Sequence, residues 1–210
     1  MNLSDNSLKK EQDNIDEKQK IPPQIAVFDL ETSGFDPQKD SIVQIGIVLL
    51  DTQTGKITPL MNTLCREVEK YISQKAWIFQ QNILSYDEVM NARDFNEYYN
   101  EIQNIATQYV CTAYNIKFDF RFLEARGIVF NKVFKDIMSI ASEICRFVSE
   151  KTEKNTEYRK YSVEDAYKIL FPNRPFLQGH IAIVDATREA EILMKCLSIL
   201  SAIPLTKTED

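Results

Sequence analysis

The feature that most constrains this chain is a pair of acids inside an apolar strand. The run QIAVFDL, residues 24 to 30, is short and β-rich, and the turn-like TSGFDP stops it, so it reads as a buried strand. Asp29 and Glu31 lie two apart at its end, and the two-residue period of a strand puts both carboxylates on one face. Neighbouring carboxylates repel, and burying them is costly unless something cationic sits between them.

The rest of the pattern sets the fold class. SIVQIGIVLLD (41–51) reads as a second strand, Thr54-Gly55 as a hairpin turn, and KITPLMNTL as a third strand, with Pro59 marking an edge or a bulge. Phe95, Tyr98, Ile102, Ile105 and Tyr109 recur at helical spacing, which predicts a helix over 94–108. VCTAY (110–114) is a fourth strand. Asn115 is placed to cap the next helix and Gly127 to end it, with Phe118, Phe122 and Ala125 on its inner face. VFKD (133–136) is a short candidate strand before the helix IMSIASEICRFV, and 149–160 reads as a mixed-charge loop. SVEDAYKIL starts a helix capped by Ser162, and the Pro-rich loop FPNRPFLQG leads to His180. A last helix runs from about Ile183 to Ala202 on the stripe Ala186, Ala190, Leu193, Leu197, Leu200. Strands first, then strands alternating with helices, indicate an α/β fold. Its mixed central sheet of about five strands has a first antiparallel meander of three, then parallel strands, and helices flank it.

A chain of 210 residues favours one domain, expected over 21–203, between a flexible polar tail at 1–20 and a short tail at 204–210. No stretch is long and apolar enough to span a membrane. The cysteines (Cys65, Cys111, Cys145, Cys196) are scattered with no metal-finger or redox spacing, which fits a reducing, cytoplasmic setting. A net charge of −6 argues against a uniformly basic nucleic-acid coat. The charge is uneven, however. Residues 117–174 hold twelve Lys or Arg against nine acids, and residues 21–116 hold six against twelve, so a local phosphate-binding rim is compatible with the acidic total.

Taken singly, each polar residue of interest has an ordinary explanation. Asp29 can end a strand with Glu31 solvated beyond it, and Asp119 can lie on the exposed side of its helix. Asp185 suits the first turn of a helix, and the only histidine, His180, can be a surface residue. Taken together they point elsewhere. If the fourth strand runs parallel to the first, both end at the edge where ligand sites of such sheets collect, next to the helix bearing Asp119. The last helix can bring Asp185 to the same edge. Converging carboxylates imply a divalent cation, and an all-oxygen set selects Mg²⁺ or Mn²⁺ over Zn²⁺. Two such ions about 4 Å apart would clamp the attacking and leaving oxygens of a phosphoryl displacement. His180, five residues before Asp185, is placed to take the proton of the attacking water, so activity should fall as it becomes protonated.

FDLETSG, NIKFD and H-x-A-x-x-D, in this order, resemble the three motifs of the DEDDh (DnaQ-like) 3′–5′ exonucleases of the RNase H-like superfold. The similarity extends over about 24–201. Position 181 is isoleucine, which excludes the tyrosine branch of the superfamily. The resemblance implies two Mg²⁺ or Mn²⁺ ions held by Asp29, Glu31, Asp119 and Asp185, with His180 as general base. It places Thr32 and Ser33 near the 3′-OH, Phe35 as a wedge on the last base, and Asn115 among the substrate contacts. Phe35 could equally be a buried turn residue. The chain departs from the family in having Tyr114-Asn115 where His-Asn is frequent, and Ser33 where Thr is frequent.

The expected activity is metal-dependent removal of nucleoside 5′-monophosphates from a single-stranded or frayed 3′ end, with DNA favoured over RNA. A proofreading subunit with a polymerase partner and an RNA-trimming enzyme share this chemistry. A nucleic-acid-binding scaffold with little turnover and a structure-specific endonuclease are the readings from other classes. The resemblance also admits a homodimer.

Overall fold

The computed structural model describes residues 21–150, 160–176 and 179–202. The expected tails at 1–20 and 204–210 lie outside the described residues, as does most of the loop expected at 149–160.

The first strand, β1 (Gln24–Thr32), is the centre of the molecule. It pairs antiparallel with β2 (Ile42–Asp51), which pairs antiparallel with β3 (Ile57–Leu64). On its other side β1 pairs parallel with β4 (Val110–Ala113), and β4 pairs parallel with β5 (Lys132–Val133). The order β3-β2-β1-β4-β5 is the expected meander followed by parallel strands. Pro59 lies on the edge strand and at a shift of register, where its missing N–H costs no ladder bond. Gly55 turns the hairpin at φ 72°.

Seven helices occur among the described residues. Two short ones, α1 (Trp77–Gln80) and α2 (Tyr86–Met90), fill a stretch in which no period marks a helix. The helix α3 (Phe95–Gln108) starts on a capping box made by Asp94 and Glu97. After β4 come α4 (Ile116–Glu124), α5 (Ile137–Glu150), α6 (Val163–Leu170) and α7 (Ala182–Ser201). Ser162 caps α6 as expected, accepting Asp165 N at 3.1 Å.

The period of two along β1 sorts the core. Ile25 and Val27 face a cluster built with α5, α6 and α7, whereas Ala26, Phe28 and Leu30 face one built with α3 and α4. All four cysteines are buried and unpaired. No helix among the described residues is long and apolar enough to cross a membrane.

Three details differ from the sequence expectation. The fifth strand is Lys132–Val133, not 133–136, because Asp136 is committed elsewhere: it accepts Ile116 N (3.0 Å) and Ser139 N (3.1 Å). For the same reason Asn115 does not cap α4 with its side chain, since the Asp136 carboxylate takes the first N–H of that helix. Ala125 is exposed past the end of α4, and the inner face holds Asp119, Phe120, Phe122 and Leu123.

Candidate active site

The site begins where β4 stops. Its last pairing with β1 is Phe28–Ala113, so beyond that point β1 has no parallel neighbour. The Leu30 N–H that would have joined the ladder donates instead to Asp119 Oδ1 on α4, at 3.1 Å. One buried backbone donor is thereby satisfied, and one acid is fixed beside β1. Asp29 and Glu31 continue the odd-numbered face of the strand, towards α7.

α7 reaches that face through a gap left by a glycine. Gly46 pairs with Asp29 across β1 and β2, and a Cβ there would lie 2.2 Å from the backbone carbon of Ala182. The first turn of α7 packs into this space. Ile181 makes no side-chain cap, and Gln44, opposite Glu31, accepts Ala182 N at 3.0 Å instead. Asp185 then faces the end of β1. Its carboxylate accepts the His180 N–H and the Arg188 Nη1–H, the latter at 3.0 Å. His180 adopts φ 58°, uncommon for a residue with a Cβ, and its ring meets the Trp77 ring edge-on at 5.1 Å. A Cβ at Gly179 would lie 2.0 Å from the Asp185 carboxylate, so any larger residue there would displace that side chain.

The result is a cavity of about 490 Å³ whose walls include Asp29, Glu31, Asp119, His180 and Asp185. Glu31, His180 and Asp185 each offer an atom within 4.8 Å of the others. Burial raises the pKa of Asp29 well above the carboxylate range, and the charges of Asp119, Glu31 and Asp185 add to it. Glu31 is pushed up to about 8 by burial first, then by Asp185 and Asp119. Asp119 is also raised by burial, opposed by the Leu30 N–H. Asp29 Oδ2 is buried with no hydrogen-bond partner among the described residues. Repelling carboxylates around an unpartnered buried oxygen form a donor set fitted to hard divalent cations.

A further acid escaped the sequence reading. Glu189 is buried on α7, accepts Tyr114 N at 3.2 Å and lines the same cavity. Burial raises its pKa most, followed by the charges of Asp29, Asp119 and Asp185. Its signal was an acid one turn after Asp185, on the helix face that otherwise carries Ala186, Ala190 and Leu193.

A second cavity, of about 460 Å³, adjoins the first at Glu31, Phe118 and His180. Thr32, Ser33, Phe35 and Trp77 line it. Phe35 is not a buried turn residue: it is 89% exposed, edge-on to Phe118. Thr32 Oγ1 donates to Gly34 O at 2.6 Å, and Ser33 Oγ accepts Ser41 N at 2.9 Å, so both hydroxyls already serve the loop. Asn115 lines the acidic cavity instead. Trp77, 55% exposed, was missed because nothing periodic surrounds it; being the only tryptophan was its one signal.

Acids and a histidine thus gather at the end of the central strand of this sheet, in keeping with the exonuclease family that the chain matches. The chain belongs to the RNase_T exonuclease family, whose model matches residues 26–193, and it is an exonuclease. It is 27% identical, over 88% of its length, to the DNA polymerase III PolC-type proteins of Thermotoga petrophila and Thermotoga maritima, and spans 12% of their length. Among solved structures, the nuclease domain of 3′hExo, described as a DEDDh family member bound to rAMP, superposes with a TM-score of 0.58 at 17% identity. That match covers 86% of this chain and 94% of that one. E. coli Exonuclease I in complex with a dA16 oligonucleotide superposes with a TM-score of 0.63 at 14% identity, over 84% and 41% of the two chains. These structures share its fold.

Proposed function

We propose that this chain is a 3′–5′ exonuclease that removes nucleoside 5′-monophosphates from a single-stranded or frayed 3′ end. The reading rests on one observation above all. Acids from β1, α4 and α7 converge with the single histidine in one cavity, where the buried Asp29 Oδ2 has no hydrogen-bond partner among the described residues.

In this reading Asp29, Glu31, Asp119 and Asp185 hold two Mg²⁺ or Mn²⁺ ions. When bound, such ions supply the positive charge that the phosphodiester oxygens require during displacement. His180 takes the proton of the attacking water, and the ring edge of Trp77 and the Asp185 carboxylate hold it in place. Phe35 and Trp77 offer apolar faces to the terminal bases in the adjoining cavity, a contact that tolerates any base. Thr32, Ser33 and Asn115 shape the sugar and phosphate contacts.

DNA is favoured over RNA because the curated relatives are named as DNA polymerases. The same names support a second reading, in which the chain proofreads beside a polymerase. The test is degradation of nucleic acid in Mg²⁺, run in parallel on 5′-labelled single-stranded DNA, a 5′-labelled duplex with a frayed 3′ end, 5′-labelled RNA and internally labelled closed circular DNA. Stepwise shortening of the linear strands, absent in Asp29→Ala and His180→Ala, is the expected result. Persistent activity in purified Asp29→Ala protein, or cleavage of the circle, overturns the reading.

A further inference from the structure

Phe35 stands exposed at the tip of a loop, yet the loop beneath it is tied at nearly every residue. Ser33 N donates to Ser41 O and Ser41 N to Ser33 Oγ, both at 2.9 Å. Asp40 accepts Asp36 N at 2.8 Å and packs so closely on Gly34 that a Cβ there would meet the carboxylate at 2.4 Å.

Two carbonyls of the loop are held from outside by cations. Arg126, just past the end of α4, donates Nη1–H to Pro37 O at 2.6 Å and Nη2–H to Asp40 O at 2.7 Å. Lys70 Nζ donates to the same two carbonyls, each at 3.0 Å. Glu67 grips the guanidinium with two bonds of 2.7 Å and accepts Ile42 N, at the start of β2, at 3.0 Å.

The Arg126 and Glu67 side chains are only 7% and 11% exposed. A buried ion pair is a poor source of stability, since apolar groups of equal volume do as well or better. A planar fork with five directed donors instead imposes one geometry on its acceptors. We infer that Arg126, locked by Glu67 and seconded by Lys70, is a positioning residue that fixes Phe35 for stacking on the 3′-terminal bases. It ties the loop after β1 to the helix carrying Asp119, so the aromatic tip and the acids share one frame. Pre-ordering the tip removes a cost otherwise met at each binding event. The inference rests on the exonuclease reading.

Its test is a double-mutant cycle between Arg126→Lys and Phe35→Ala. The readout is the Kd of a short 5′-fluorescent single-stranded DNA, measured by anisotropy in Ca²⁺ to suppress turnover, with melting temperatures alongside. Phe35→Ala should weaken binding about tenfold, the worth of one base stack. Arg126→Lys keeps the charge and loses the fork. It should weaken binding by a similar factor in the wild-type background and by less than about twofold beside Phe35→Ala, because coupled residues are not additive. A parallel cycle with Lys70→Met leaves the buried pair intact and should show a smaller loss that also vanishes beside Phe35→Ala; if Arg126→Lys does not fold, this cycle alone decides.

Losses that multiply overturn the inference, because the cations would then act on the fold and not through Phe35. Wild-type affinity in the deciding variant overturns it as well. Wild-type protein that neither binds nor degrades the strand overturns the exonuclease reading and this inference together. Wild-type protein that degrades DNA while the losses multiply overturns the inference alone.

Discussion

The acidic cavity and the aromatic cavity meet at Glu31 and His180, yet they are built in opposite ways. The acidic one stands on regular elements. β1 supplies two carboxylates, α4 and α7 supply the others, and the packing of Gly46 against Ala182 holds them together although they repel. The aromatic one stands on a loop and a single-turn helix, and its Phe35 and Trp77 side chains are exposed. Groups that repel need a scaffold that overrides them, and groups that grip a partner need only an ordered place at the surface. The first region therefore carries electrostatic strain that cations would relieve, and the second shares in it only through Glu31.

The largest effects should fall on the acidic side. Asp29→Asn should lower exonuclease kcat by at least about a hundredfold, the upper end of what removing even an outer partner of a metal ligand costs. His180→Ala should lower it by about 10² to 10⁴, as for loss of a general base. An Asp29→Asn enzyme within tenfold of wild type would break the comparison at its root.

Gly46→Ala comes next. The added methyl meets the backbone of Ala182, so stability should fall by about 1–3 kcal/mol. Activity should fall further than stability explains, because α7 carries Asp185. Denaturant melts and rate assays on one preparation measure both.

Metal and pH sharpen the contrast without mutation. The folded pKa of Glu31 is raised from 4.5 to about 8, and Asp29 and Glu189 are raised too. The folded state then binds more protons than the unfolded one, so this stability is full below pH 4.5 and is lost as pH climbs towards 8. Metal-free protein should melt at progressively lower temperature across that window, and Mn²⁺ should remove the slope. A flat calorimetric profile in chelator would show that the acids do not repel as their burial implies.

The smallest effect belongs to the aromatic side. Trp77→Ala should weaken binding of single-stranded DNA by about 1–3 kcal/mol, one base stack, and leave the melting profile in chelator unchanged. A loss confined to kcat would mean that Trp77 serves His180 alone.

Much of this was legible in the chain. The apolar run around Asp29, the Pro59 edge, the Ser162 cap and the stripe of α7 are local patterns, and local patterns survive into the fold. Asn115 misled because its capping role depended on a competitor, Asp136, twenty-one residues away. Gly46 carried a readable signal, since a glycine inside a strand marks close backbone approach, but which backbone approached was not written nearby. Glu189, a charge on an apolar stripe, was the clearest local anomaly. Arg126 looked like any charge after a helix, and of its five acceptor contacts four come from two distant segments, the 37–40 loop and Glu67, and one from the nearby turn at Phe122.

The sequence by itself determined the mixed sheet with its opening meander, the longer helices that cover it, and which acids and histidine were candidates for one site, because strand and helix periods and residue types are properties of neighbours along the chain. Only the tertiary structure decided that Asp119 takes the N–H that β4 leaves unpaired, that α7 closes onto Gly46, and that Arg126, Glu67 and Lys70 meet around the loop after β1. Those outcomes depend on which buried polar groups find each other across long stretches of chain, and burial makes each unmet group too costly to leave to chance.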